Sequence, residues 1–93
     1  MRYEWDENKR IKNLKEHGVD FYSVYEFDLN SAFKIPDTRF DYNEERFIAF
    51  GYRKNRLHVL VYTERQNSIR VISFRKANKR EVRDYEKEKN DSR

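Results

Sequence analysis

The sequence predicts an α+β domain in which two N-terminal helices pack on an antiparallel sheet of three to four strands and a C-terminal helix follows the last strand. Two observations carry this. Asp6, Asp20 and Asn78 each stand as an N-cap before a short stretch of helical apolar spacing, and between Asp20 and Asn78 lie three segments of alternating apolar and polar residues joined by turn-like pairs. Helices at both ends of a meander are the pattern of an α+β layer structure.

Taken in chain order, Asp6 caps a first helix over residues 7–17 with Ile11 and Leu14 as its inward positions, and Gly18 closes it in the left-handed conformation. Asp20 caps a second, shorter helix that reaches about Phe27. Val19 before that cap and Val24 inside the helix have the spacing of a hydrophobic staple. Residues 31–35 form a short edge strand stopped by Pro36, which has no N–H to give to a ladder, and the polar stretch 37–43 is a loop.

Residues 46–53, 57–64 and 69–75 then make the antiparallel meander, turning at Lys54-Asn55 and Gln66-Asn67. Asn78 and Glu81 have capping-box spacing, and Val82 with Tyr85 gives a narrow apolar stripe, so the third helix covers residues 79–87 and residues 90–93 are frayed.

Two-residue turns fix the register, and with it the two faces of the sheet. One face collects Ile48, Phe50, Tyr52, Leu57, Val59, Val61, Ile72 and Phe74 and is expected to hold the first two helices, with Arg46, Thr63 and Arg70 in a row at its polar end. The other carries Ala49, Gly51, His58, Leu60, Tyr62, Val71, Ser73 and Arg75. That face is smaller and more polar, is left for the third helix or a ligand, and brings Gly51, His58 and Arg75 level.

A chain of 93 residues fits one domain, residues 1–93, since two separate cores would need more buried surface. Charged residues at 41% against 37% apolar lean toward disorder, but seven Phe, seven Tyr and one Trp supply enough area per residue for a thin core to outweigh chain entropy. With no Cys there is neither a disulfide framework nor a Cys-based metal site, and no apolar run is long enough for a signal peptide or a membrane span. The reducing cytoplasm is the expected location, with no membrane partner.

The net charge of +4 permits polyanion binding without requiring it. Arg46, Arg65, Arg70, Arg75, Lys76 and Arg80 recur on or beside the strands, where a rigid sheet can aim cations at successive phosphates. The other reading of the same residues is a set of solvated edge charges, some paired with Glu44, Glu45, Glu64 or Glu81. Tyr62 on a central strand is either a core ring or a proton-transfer hydroxyl, and His17 either complements the helix dipole or titrates at a site. His58 lies mid-strand. Two distant His residues without an HExxH pattern offer no metal site, and no cofactor is expected. Phosphate loops, nucleophile elbows and Ser-His-Asp orders are absent as well. RNA cleavage needs none of them, because the substrate's own 2′-hydroxyl can attack while the protein orients the chain, assists proton transfer and stabilises charge.

From end to end the chain resembles the BrnT family of the wider RelE-like group. The residues that carry the resemblance are Trp5-Asp6, Asn13-Leu14 with His17-Gly18 and Phe21, Glu45-Arg46-Phe47, Tyr62-Thr63-Glu64-Arg65, and Ile72-Ser73 with Arg75-Lys76-Ala77. The resemblance implies a RelE-like fold and metal-independent endoribonuclease activity that arrests translation. It also implies neutralisation by a cognate BrnA-like ribbon-helix-helix antitoxin, through which alone the protein meets DNA. It carries Arg46, Tyr62, Arg65 and Arg75 as active residues, with His17 and Arg70 as further candidates. Gln66-Asn67 stands where the family pattern has a Gly-containing turn, which bears on the second hairpin's register. A non-catalytic RNA-binding or protein-interaction module on the same fold is the competing class.

Overall fold

The computed structural model describes residues 2–91. In chain order it comprises β1 (Tyr3–Glu4), α1 (Glu7–His17), a 3₁₀ helix (Phe21–Glu26), β2 (Phe33–Pro36), β3 (Phe47–Arg53), β4 (Arg56–Arg65), β5 (Ser68–Lys76) and α2 (Lys79–Asp91). The strands form one sheet in the order β1-β5-β4-β3-β2. The predicted architecture is the one observed, with two N-terminal helices packed against the sheet and a C-terminal helix after it.

The sheet has five strands rather than three or four, because Tyr3 and Glu4 pair in parallel with Ile69 and Arg70. A two-residue strand is too short to show alternation in the sequence. At the other edge β2 runs antiparallel to β3 and ends on Pro36, opposite Phe47. The C-terminal helix runs on past residue 87 to Asp91, so residues 90 and 91 are helical rather than frayed; residues 92 and 93 lie outside the described residues. No helix among the described residues is long and apolar enough to cross a membrane.

The N-terminal caps form as their chemistry dictates. The Asp6 carboxylate accepts from the Lys9 N–H at 3.1 Å, Gly18 closes α1 at φ 72°, and Asp20 accepts from the Tyr22 N–H at 3.1 Å. The inward residue of α1, however, is Asn13 and not Ile11 or Leu14, which are 41% and 39% exposed. The Asn13 amide donates to the carbonyls of Val19 at 2.9 Å and Phe74 at 2.7 Å, and its oxygen accepts from the Phe74 N–H at 3.2 Å. Since β1 pairs only with Ile69 and Arg70, the polar backbone of β5 beyond them needs another partner, and Asn13 supplies it.

Both hairpins turn in two residues, with Arg53 opposite Arg56 and Arg65 opposite Ser68. Lys54 and Asn55 have φ 50° and 63°, the positive pair of a type I′ turn. Beyond the second turn the register slips: Tyr62 opposes Val71 but Val61 opposes Ser73, leaving Ile72 as a bulge. This reverses the predicted faces for the rest of β5. Phe74 lies opposite Leu60, Arg75 opposite Val59, and Lys76 rather than Arg75 comes level with His58 and Gly51.

The two layers are also exchanged relative to the sequence reading. Val19, Phe21, Val24 and Phe27 from the N-terminal segment pack on the face of Ala49, Leu60, Tyr62, Val71 and Phe74, forming the main core. The face with Ile48, Phe50, Leu57 and Val59 meets Ala77, Val82 and Tyr85 around α2. Apolar side chains counted along the strands miss what the helices bring: small residues make room for large rings. A Cβ on Gly51 would stand 3.0 Å from both the Phe27 ring and the Ala32 methyl.

Candidate functional site

The loop of residues 37–46 is tied down at its start. The buried Asp37 carboxylate accepts from Arg39 Nε and Nη2, both at 2.8 Å, from the Arg39 N–H at 3.3 Å and from the Tyr42 hydroxyl at 3.3 Å. Hydrogen bonds from the Arg39 side chain outweigh the cost of burial and hold the Asp37 pKa down at about 2. The Asp37 N–H donates to the Arg46 carbonyl at 2.7 Å, and the Thr63 hydroxyl donates to the Glu45 carbonyl at 2.7 Å, so the far end of the loop is held too.

Arg46 is seated on two supports. Its guanidinium carbon lies 3.9 Å from the centroid of the Tyr42 ring, and its Nε donates to Glu44 Oε2 at 3.0 Å. The other Glu44 oxygen stands 3.6 Å from Arg65 Nη2, so the residue just before β3 and the last residue of β4 meet on one carboxylate.

Arg75 reaches the same side of the sheet because of the Ile72 bulge. Its two terminal nitrogens donate to the two Glu81 oxygens at 2.8 and 2.9 Å. Glu81 also completes the capping box of α2: Asn78 N–H to Glu81 Oε1 is 2.9 Å, and Glu81 N–H to Asn78 Oδ1 is 2.8 Å. The pair raises the Arg75 pKa and lowers that of Glu81. The charge of Arg39 opposes the rise at Arg75, so these two guanidiniums lie within electrostatic reach of each other.

Arg39, Arg46, Arg65 and Arg75 are thus brought together around the loop and the N-terminus of α2, each with a carboxylate where phosphate oxygens could bind. Arg70 lies opposite Thr63, as the predicted row requires, and pairs with Glu4 at 2.9 Å. Lys76 is exposed and leaves the opposite face from Arg75, while Arg80 is exposed in the first turn of α2.

Tyr62 and His17 are not brought to these arginines. Tyr62 is buried in the main core with its ring centroid 5.6 Å from that of Phe47, and burial raises its pKa. His17 ends α1 with Nε2 3.9 Å from Glu16. His58 is sealed beneath the helices, where its Nδ1 donates to the Arg56 carbonyl at 2.8 Å and burial lowers its pKa. Among the described residues no group of three His, Asp or Glu is placed to hold a metal ion.

Asp37, Arg39 and Tyr42 carry no motif in the sequence, where Glu44 stands out only as a partner for surface charge and Glu81 as that or a cap; the pairs Arg46–Glu44 and Arg75–Glu81 are both formed. The available signal was the density of charge and aromatic rings from Asp37 to Arg46, unusual for a plain connecting loop. A family model described as "Ribonuclease toxin, BrnT, of type II toxin-antitoxin system" matches residues 5–81. No curated protein matches the chain.

Proposed function

We propose, from the premise that this chain belongs to the BrnT family of ribonuclease toxins of type II toxin–antitoxin systems, that it is a metal-independent endoribonuclease whose cutting of RNA arrests translation. A cognate BrnA-like ribbon-helix-helix antitoxin neutralises it. The observation that supports this best is the convergence of Arg39, Arg46, Arg65 and Arg75 on one side of the sheet.

In this reading Arg46 and Arg75 bind the scissile phosphate and stabilise the charge that builds on it as the 2′-hydroxyl attacks, with Arg65 and Arg39 beside them. Glu81 keeps the Arg75 guanidinium oriented in the free protein and gives way to phosphate oxygens, while Asp37 and Glu44 stay in place beside Arg39 and Arg46. Tyr62 and His17, the proton-transfer candidates from the sequence, stand on the side of the N-terminal helices, away from α2. Glu44 is already between Arg46 and Arg65, 32% exposed in its side chain, and fits the proton acceptor better. Arg70 lengthens the cationic surface, and Lys76 and Arg80 touch RNA only away from the cleaved bond.

The test is single-turnover cleavage of RNA in EDTA-containing buffer by the wild type, Arg75→Ala, Arg46→Ala and Glu44→Gln, with thermal melts on each. Cleavage is expected to survive chelation and to leave a 2′,3′-cyclic phosphate. Rates unchanged in both arginine variants would remove them from the site, and an inactive but RNA-binding wild type would favour the non-catalytic module.

A further inference from the structure

We propose that Phe40, with Arg39 beside it, is a stacking platform for an unpaired RNA base next to the cleaved phosphate; this rests on the RNA-cleaving reading above. Phe40 is 71% exposed, more than any other large apolar side chain among the described residues. It is nevertheless not on a loose tip. Its ring meets the Tyr42 ring edge to face, with centroids 5.9 Å apart, and Tyr42 is in turn bonded to the buried Asp37 carboxylate. A ring this exposed on a tied loop offers its surface to solvent in a fixed place.

The surroundings select a base over other ligands. Phe40 borders an open cleft of about 570 Å³ whose other rings are Tyr42 and Phe47 and whose charged groups include Arg39, Asp41, Glu45 and Arg46, a mixed lining rather than the continuous apolar patch that seats a protein. Asp41 and Glu45 repel a phosphate but accept hydrogen bonds from a base edge. The phosphate therefore belongs on the arginines and the base on the ring. Arg39 and Arg46, on either side of Phe40 and Asp41 in the loop, supply the cations that accompany aromatic rings where single strands are bound.

The test uses a fluorescently labelled, non-cleavable 2′-O-methyl oligonucleotide of mixed sequence, as a single strand and as a duplex, titrated with wild type, Phe40→Ala, Phe40→Leu and Phe40→Trp. Thermal melts should match the wild type, because Phe40 is exposed. Single-strand affinity should fall roughly 5- to 100-fold in the Ala and Leu variants and be kept in Phe40→Trp, the range expected for one lost stacking contact. Duplex affinity should not change. Equal single-strand binding by wild type and Phe40→Ala overturns the platform while leaving RNA cleavage standing. If the wild type binds neither oligonucleotide, both readings fall. If Phe40→Ala keeps RNA affinity but is no longer neutralised by a cognate antitoxin protein, Phe40 belongs to a protein interface and the proposal is wrong.

Discussion

Arg75 and Glu81 face each other fork to fork, at 2.8 and 2.9 Å, and Glu81 is at the same time the residue that closes the first turn of α2. The orientation of the guanidinium is therefore coupled to the start of the helix. A carboxylate in this position both neutralises Arg75 and fixes the plane in which it presents its N–H groups.

Arg75→Ala should lower cleavage by ~10²-fold, the scale for losing one positioned donor in the transition state. Glu81→Gln should behave differently. Glutamine still serves a capping box, so melting should change little, while the neutral amide releases Arg75 and alters its affinity for phosphate. Single-turnover rates alongside thermal melts separate the two, and a large loss of stability in Glu81→Gln would show that the charge chiefly holds the helix.

The loop depends on Asp37 staying ionised. Its pKa of about 2 in the folded chain lies below the ordinary value of 3.8, so between these values the unfolded chain binds more protons. The stabilisation is complete above about pH 4 and is lost as pH falls through about 2. Asp37→Asn should remove that part of the acid dependence and destabilise the fold by about 1–3 kcal/mol, the scale of losing hydrogen bonds to a buried charged group. Acid unfolding curves of the two proteins check this, and superimposable curves would sink it.

Local chemistry was legible in the sequence. Asp6, Asp20 and the Asn78–Glu81 box cap as their spacing requires, Gly18 takes positive φ, and both turns have two residues. What was not legible depends on groups distant in sequence. Asn13 is inward because a β5 backbone edge needs it, and the layers exchange because the rings of Phe21 and Phe27 need the space over Ala49 and Gly51. The support of Arg46 by Tyr42 and of Tyr42 by Asp37 is likewise a tertiary arrangement, invisible to any periodicity.

Two substitutions test that packing. Gly51→Ala puts a methyl 3.0 Å from Phe27 and Ala32 and should cost about 1–3 kcal/mol by overpacking. Asn13→Leu restores the apolar stripe that the helix pattern favours but strands the N–H and C=O of Phe74, and should cost about 1–3 kcal/mol as well. Denaturant midpoints measure both. Were Asn13→Leu more stable than the wild type, the edge of β5 would have another partner and the role given to Asn13 would be mistaken.

The bulge at Ile72 links fold and site most directly. With regular pairing continued from Arg65 and Ser68, Phe74 would turn away from the main core and Arg75 would turn into it; the extra residue sends the ring inward and the guanidinium toward Glu81. Deleting Ile72 should therefore leave both side chains where they are, because Val71 then runs straight into Ser73 and the pairs of Ser73 with Val61, Phe74 with Leu60 and Arg75 with Val59 continue without a break. Ile72→Ala keeps the bulge and should preserve Phe74 burial and cleavage as well. Deleting Ile72 in the Phe74→Ala background should add little to the loss of stability from Phe74→Ala alone, about 3–5 kcal/mol for a buried ring. Melting curves and cleavage rates for the deletion, Ile72→Ala and the wild type give the comparison. A deletion variant that loses the Phe74 packing and no longer cuts would mean that the register of β5 beyond Val71 is not the one that places Arg75.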